Sequence, residues 1–260
     1  MEEKEMKYIL AIGNSFSRDA TAYLYDICKS LGEEVNVVNL YIGGCSLERH
    51  WDNIEHDKAE YQYQENGIET DRYVSVKEVL HRQKWDYIVT QQSSHDSGWL
   101  DTYEPFTGLI LDYLKKEVPA AKILFQQTWA YEKDSDHGCF IRYNRDQEEM
   151  YRRSWQCYHT ITDKYSLPLI PCGDVIQSLR AQSPFDYDHG GRSLCRDGFH
   201  MHYIYGRYAL ALTWAGFILG IDVLGCSYVP TPYETDEKAD ESLLKIVREQ
   251  VASTLTTSGV

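Results

Sequence analysis

Several features that identify common protein classes are missing from this sequence of 260 residues. Its seven cysteines are an odd number and lie far apart, and they include no Cys-x-x-Cys pair. This pattern argues against a disulfide framework or a structural zinc site, and it favours reduced thiols. The most apolar stretch, 208–219, is only about half as long as a membrane span, so it predicts a buried helix.

Positive charge is also scarce, because 26 Lys and Arg residues face 40 Asp and Glu residues, for a formal net charge of −14. Such a charge repels phosphate backbones and anionic lipids, so we expect neither nucleic acid nor a membrane surface as a partner. The N-terminal segment opens with acidic residues and then enters a strand-like run, which is not typical of a cleavable export signal. We therefore expect a cytoplasmic protein, or an exported one whose signal peptide has been removed.

Short β-type runs alternate with segments of helical length along most of the chain. The predicted strands are Lys7–Ile12, Val35–Leu40, Asp86–Thr90, Lys122–Phe125 and Leu167–Ile170. The predicted helices are Asp19–Leu31, Val74–Arg82, Pro105–Lys116, Arg142–Tyr165, Tyr208–Leu219 and Glu241–Ala252. Because each parallel connection needs a crossover, the alternation predicts an α/β protein. We expect a flavodoxin-like three-layer α/β/α sandwich with a central parallel sheet of about five strands.

Two segments depart from this alternation. Residues 60–75 alternate polar and aromatic side chains around Asn66 and Gly67, and Asn-Gly is a strong hairpin signal, so we predict an inserted β-hairpin. Residues 230–260 form a C-terminal extension that contains the last predicted helix. No repeat, low-complexity tract or linker divides the chain, which favours a single domain over residues 1–260.

In open α/β sheets, ligands bind at the carboxyl ends of the strands, so the residues that follow each strand are candidates for the site. The first strand is followed by Gly-Asn-Ser-Phe-Ser at 13–17. A serine at such a strand-to-helix turn exposes its hydroxyl, and the helix N-terminus behind it offers N–H groups to an oxyanion. The alternative is that Ser15 or Ser17 only caps the helix.

The other strands are followed by glycines, polar side chains and aromatic rings. Gly43 and Gly44 after the second strand allow a close backbone approach to a ligand, or form a plain tight turn. Gln-Gln-Ser-Ser-His-Asp follows the third strand at 91–96, and Gln-Gln-Thr-Trp follows the fourth at 126–129. The aromatic candidates for stacking on a substrate are Tyr41, Trp99 and Trp129.

Near the C-terminal end, Asp197 and His200 form an Asp-x-x-His motif. This spacing lets one short turn hold a carboxylate against an imidazole. An imidazole oriented in this way can act as a general base toward a serine hydroxyl from elsewhere in the fold.

From about residue 7 to residue 220, this order of motifs resembles that of the SGNH or GDSL-type hydrolases, in particular a branch with Gly-Asn-Ser in its first block. The first block matches residues 13–15, the second matches Gly43 and Gly44, and the last matches the Asp-x-x-His motif. The resemblance implies that Ser15 is the nucleophile, that His200 is the general base and then the acid, and that Asp197 orients His200.

The third block of the family, Gly-x-Asn-Asp, is altered in this chain. Alignment along the third strand places His95 opposite the family's asparagine, whereas amide chemistry favours Gln92 as the side-chain donor. The expected oxyanion hole therefore consists of the backbone N–H groups of Ser15 and Gly44 with either Gln92 or His95. The function expected from this set is a serine esterase that hydrolyses small acyl esters, most simply acetyl esters on a carbohydrate, without a metal or cofactor.

Two alternatives come from other functional classes. A metal-dependent hydrolase would use the one dense set of ligand-type side chains, which comprises Asp186, Asp188, His189, Asp197, His200 and His202. A carbohydrate-binding protein would keep the hydrolase scaffold without turnover, because a lost oxyanion donor weakens transition-state stabilisation more than binding.

Overall fold

The protein was analysed as a computed structural model, which describes residues 5–257. Its strands are β1 Lys7–Gly13, β2 Val35–Tyr41, β3 Tyr61–Glu65, β4 Ile68–Val74, β5 Tyr87–Thr90, β6 Lys122–Gln126 and β7 Leu169–Ile170. They form one seven-stranded sheet in the order β4-β3-β2-β1-β5-β6-β7. The strands β2, β1, β5, β6 and β7 are parallel, and β3 and β4 are antiparallel. The predicted α/β class with five parallel strands is confirmed.

The helices are α1 Ser15–Thr21, α2 Leu24–Ser30, α3 Leu47–Glu55, α4 Val76–Leu80, α5 Phe106–Glu117, α6 Gln147–Tyr165, α7 Cys172–Arg180, α8 Tyr205–Leu219 and α9 Glu241–Thr257. The predicted helix Asp19–Leu31 is wrong in its bounds, because the chain forms two helices that start at Ser15 and Leu24. The predicted helix from Arg142 begins only at Gln147, since residues 144 and 145 adopt positive φ. Helices α3 and α7 were not predicted.

The sheet has a cluster of buried hydrophobic side chains on each of its two faces. Along β1, Ile9 and Ala11 belong to one cluster, and Leu10 and Ile12 belong to the other. This alternation is expected of a central strand covered on both sides. Helix α8 is buried against α1, α2, α7 and α9, as its all-round apolar sequence requires. Within residues 5–257, no helix combines the length and apolarity needed to cross a membrane.

The inserted hairpin is confirmed as β3 and β4, which extend the sheet beyond β2. Asn66 and Gly67 form its turn with φ values of +50° and +79°. Both values lie in the left-handed region that a two-residue hairpin turn of this type needs, which explains the Asn-Gly pair. A side chain at position 67 would place its Cβ 2.4 Å from the carbonyl oxygen of Ala22, so the turn packs directly on the end of α1.

Candidate active site

Helix α1 begins at Ser15, immediately beyond the carboxyl end of β1, and its cap is Asn14 rather than a serine. The Asn14 side chain accepts a hydrogen bond of 3.0 Å from the backbone N–H of Phe16. Ser17 is buried and donates to the carbonyl of Asn14 and to Asn39 Oδ1. The Ser15 hydroxyl is half-buried and makes no hydrogen bond within residues 5–257. Capping therefore does not explain the serine at position 15.

Asp197 and His200 are in direct contact within one tight turn. Asp197 Oδ2 lies 2.7 Å from His200 Nδ1, and Asp197 Oδ1 accepts a 2.8 Å hydrogen bond from the His200 backbone N–H. Partial burial opposes ionisation of Asp197, but these hydrogen bonds from His200 outweigh it and hold the pKa of the carboxyl below its usual value. The carboxylate therefore fixes the ring through Nδ1 and leaves Nε2 for other chemistry.

The His200 turn lies against the start of α1. The His200 ring is 6.3 Å from the ring of Phe16, the residue next to Ser15. Asp19, on the same helix, accepts a 2.9 Å hydrogen bond from the backbone N–H of Met201. No hydrogen bond joins Ser15 to His200 in the part of the chain described. In substrate-free proteins such bonds are often long and tighten when substrate binds.

A buried amide network joins the first three motifs. Asn14 Nδ2 donates to the carbonyl of Cys45, beside the glycine pair, at 3.0 Å. Asn14 Oδ1 accepts from Gln91 Nε2 at 2.7 Å, Gln91 Oε1 accepts from Gln126 Nε2, and Gln126 Oε1 accepts from Trp214 Nε1 at 2.7 Å. The sequence marked these glutamines as ligand-facing candidates, but Gln91 and Gln126 are buried and brace the carboxyl ends of β1, β5 and β6.

The backbone N–H groups of Gly44 and Ser15 are two further candidate donors. Gly44 is exposed with φ of +61°, and a Cβ at this position would meet no atom within 4 Å. Ser15 N–H belongs to the first turn of α1, where no intrahelical acceptor exists. Neither N–H has an acceptor among residues 5–257. Both groups are therefore free to stabilise a negatively charged oxygen.

Gln92 and His95, the two candidates for the third donor, differ in availability. Gln92 is fully buried, its Nε2 donates to Thr102 O and Oγ1 at 3.0 and 3.1 Å, and its Oε1 accepts from the backbone of Leu47 and Ser93. The His95 side chain is 31% exposed, and its Nε2 lies 3.4 Å from Asp96 Oδ2. The Gln92 amide is therefore committed to the fold, whereas the His95 ring is partly exposed.

The three aromatic candidates have different surroundings. Trp129 is fully buried, stacks on Phe16 at 3.9 Å and donates from Nε1 to the carbonyl of Phe199. The predicted role of Trp129 in substrate binding is therefore wrong, because neither face of its ring is accessible to a substrate. The Trp99 ring lies 4.9 and 5.1 Å from the guanidinium carbons of Arg142 and Arg153.

Tyr41 is the aromatic candidate that adjoins the glycine turn. Its hydroxyl lies 3.3 Å from the position that a Cβ would take on Gly43. Its ring contacts the Arg18 guanidinium at 5.7 Å, one helical turn beyond Ser15. Tyr41 therefore adjoins both the glycine turn at Gly43 and helix α1.

Residues 8–243 match a protein family described as Domain of unknown function (DUF4886). The chain belongs to this family. A crystal structure of a DUF4886 protein from Bacteroides uniformis has 30% sequence identity and a TM-score of 0.87, with 97% of this chain and 95% of that one covered. No curated protein matches.

More distant structures share the fold of this DUF4886 domain. One is a member of the lipolytic G-D-S-L family from Veillonella parvula, at 13% identity and a TM-score of 0.52, covering 84% of this chain and 100% of that one. Another is the acetylxylan esterase Axe2 from Geobacillus stearothermophilus, at 14% identity and a TM-score of 0.52, covering 89% and 100%. The fold is thus that of SGNH and GDSL-type hydrolases.

His137 lies near the candidate site, and the sequence did not reveal it. Its ring lies 4.6 Å from Tyr131 and 4.7 Å from Phe199, and the Phe199 ring is 4.1 Å from His200. Burial, followed by the positive charge that His95 and His200 can carry, lowers the pKa of His137. No motif marked this residue, because it lies in a long irregular segment after β6.

Cys45, beside the glycine turn, is not a nucleophile at neutral pH. Its thiol is buried, lies 3.4 Å from His50 Nδ1, and has its pKa raised to about 12 by burial. A thiol with so high a pKa remains protonated and acts as a small apolar group.

The ligand set of the metal-dependent alternative does not converge. His189 is 82% exposed and lies 3.7 Å from Asp186, and His202 lies 3.2 Å from Glu237, away from the Asp197 and His200 pair. Across residues 5–257, no three His, Cys, Asp or Glu side chains are arranged to hold one metal ion. The predicted ligand set is therefore wrong, because its side chains do not come together around one point.

Proposed function

We propose that this protein is a serine esterase that hydrolyses acetyl esters on a carbohydrate through Ser15, His200 and Asp197. The observation that carries the proposal is the 2.7 Å Asp197–His200 contact, held against the N-terminus of the helix that begins at Ser15. Acyl transfer requires a serine hydroxyl that makes no structural hydrogen bond, an imidazole held in one orientation, and backbone N–H groups without acceptors.

In the proposed reaction, Ser15 Oγ attacks the ester carbonyl while His200 Nε2 takes the hydroxyl proton. The N–H groups of Ser15 and Gly44, with His95, stabilise the oxyanion of the tetrahedral intermediate. His200 then gives the proton to the leaving alcohol as the carbon–oxygen bond breaks, which leaves an acyl-serine. Water activated by His200 attacks this acyl group, releases acetate and restores Ser15.

The choice of substrate rests on two weaker supports. An acetylxylan esterase shares the fold, and Tyr41 offers an aromatic face with a polar edge beside Gly43. These supports favour acetyl on sugar over a long-chain ester.

The proposal is tested by hydrolysis of p-nitrophenyl acetate and of acetylated xylo-oligosaccharides with wild type, Ser15→Ala and His200→Ala. We expect both variants to lose about six orders of magnitude in kcat, since triad members act as a unit. Ser242→Ala, on the exposed start of α9, is the matched control and should retain wild-type rates.

Covalent labelling provides an independent readout. An organophosphonate should modify Ser15 in the wild type, and mass spectrometry should find no adduct in folded Ser15→Ala. If Ser15 stays unlabelled in the folded wild type while unacetylated sugar binds, the scaffold is a carbohydrate-binding protein and the esterase proposal fails.

A further inference from the structure

A groove runs along the side of α1, between the inserted hairpin and the segment before α9. Its volume is about 430 Å³, which is within the range of roughly 300–1,000 Å³ typical of small-molecule sites. One wall is the hairpin turn with Gln64 and Glu69, and the other is the segment around Tyr228 and Tyr233. We call this cavity the hairpin groove. Both walls come from the segments that depart from the β/α alternation.

The hairpin groove begins beside the candidate active site. Arg18 lines its upper end and forms an ion pair with Glu69 across it. Arg18 is three residues from Ser15 on α1, a spacing that places side chains about 5–6 Å apart on one helix face. The Arg18 guanidinium also contacts the Tyr41 ring, whose hydroxyl adjoins Gly43. Arg18 is therefore the residue that connects the groove to the region beside Ser15 and Tyr41.

The charges in the groove select against an anion. Its two guanidinium groups are already paired, Arg18 with Glu69 and Arg207 with Glu234 at 2.7 Å. Asp26 adds another carboxylate, and burial raises the pKa of this group. A phosphorylated or carboxylated ligand would meet this excess of carboxylates without a free cation, so an uncharged ligand fits better.

The remaining groups suit a polyhydroxylated ligand. Tyr233 is 88% exposed, which leaves its ring free to stack, and Tyr23 and Tyr228, whose ring centroids are 5.6 Å apart, also line the groove. Carboxylate oxygens accept hydrogen bonds from hydroxyl groups, and Glu69 on the opposite wall has its Oε2 outside the ion pair with Arg18. Aromatic rings facing hydrogen-bond acceptors are the combination that binds sugar rings.

We propose that the hairpin groove binds the further sugar units of an uncharged oligosaccharide whose acetyl ester lies at Ser15. This inference rests on the proposed esterase function and adds to it a specificity for chain length. Gly67 of the hairpin turn and Ala22 at the end of α1, which pack on each other, both line the groove.

The test compares acetylated xylotetraose with p-nitrophenyl acetate as substrates of the full chain. For Tyr233→Ala we expect the ratio of kcat/KM on the tetraose to that on the small ester to fall about 3- to 10-fold, through KM, because one stacking contact is lost. Tyr73→Ala is the matched control, since Tyr73 is 61% exposed on the same hairpin but does not line the groove. Its ratio should equal that of the wild type.

A binding measurement separates this inference from the esterase proposal. Calorimetry with unacetylated xylotetraose should show binding to Ser15→Ala, and about 3- to 10-fold weaker binding to Ser15→Ala/Tyr233→Ala. If no ester is hydrolysed but this difference holds, the esterase proposal fails and the groove stands. An unchanged substrate ratio and equal binding by the two serine variants would overturn the groove proposal, whatever the activity toward small esters.

Discussion

Asp19 accepts two hydrogen bonds of 3.0 Å from Arg196, the residue that precedes Asp197 in the chain. Asp19 lies one turn beyond Ser15 on α1 and is fully buried. Its carboxylate also accepts from Arg207 Nε and from the backbone N–H of Met201, each at 2.9 Å. One buried carboxylate thus ties the helix of the candidate nucleophile to both ends of the Asp-x-x-His turn.

Replacing Asp19 with Asn should therefore affect both stability and activity. The variant leaves the buried Arg207 guanidinium and the partly buried Arg196 guanidinium without the Asp19 carboxylate, so we expect the free energy of unfolding to fall by about 3–5 kcal/mol. The measurement is urea denaturation, with kcat on p-nitrophenyl acetate as a second readout. Asp52→Asn, which breaks an exposed ion pair with Lys58, is the control and should leave the free energy of unfolding nearly unchanged. Equal costs for the two variants would contradict the anchoring role of Asp19.

The two candidates for the third oxyanion donor should give opposite results on mutation. His95→Ala should lower kcat by about 10²–10³ with little change in the free energy of unfolding, because its ring is partly exposed. His95→Asn restores an N–H donor and should recover part of the loss.

Gln92→Met, which keeps the side-chain volume, should mainly destabilise the fold. It leaves the buried N–H groups of Leu47 and Ser93 without their acceptor, at about 1–3 kcal/mol for each. Both variants are compared by steady-state kinetics and thermal unfolding. A fully active His95→Ala together with a stable but inactive Gln92→Met would reverse the assignment.

Asp197→Asn tests whether the carboxylate orients His200 and stabilises its charged form. We expect kcat to fall by about 10³–10⁴, because the amide cannot support the imidazolium that forms during catalysis. The free energy of unfolding should change little, since the Asp197 side chain is 42% exposed. Asp186→Asn removes the corresponding contact with the surface residue His189 and is the control for kinetics. Similar kinetics for the two variants would remove Asp197 from the mechanism.

The sequence was sufficient to predict the strands of the sheet and the loops at its carboxyl edge, because apolar runs and turn residues are local signals. It could not assign a direction to the side chains in those loops. Gln91 and Trp129 follow strands as candidate ligand groups do, yet both are buried under the site. Their partners, Asn14 and Phe199, lie 77 and 70 residues away in the chain. Such pairings depend on tertiary packing, which no local pattern encodes.

No local sequence pattern marked His50 as a buried residue either. Its buried ring makes the free energy of unfolding depend on pH. His50 Nδ1 lies 2.9 Å from the Tyr61 hydroxyl, and burial lowers the pKa of His50 from 6.5 to about 3. In the unfolded chain this histidine takes up a proton near its ordinary pKa, whereas the folded protein keeps it neutral. Its contribution to stability is therefore complete above the unfolded pKa and is lost as the pH falls from about 6.5 toward 3.

Between about pH 7 and pH 5, this histidine should account for a loss of about 2 kcal/mol in the free energy of unfolding. Urea denaturation of wild type and His50→Gln at both pH values measures it. The variant is expected to be less stable at pH 7 but to lose about 2 kcal/mol less on acidification, because glutamine does not titrate. His56→Gln is the control, since His56 is exposed on the surface, and its pH dependence should match the wild type. If His50→Gln and the wild type lose the same stability between the two pH values, the buried ring is already protonated or is reached by water in the folded protein.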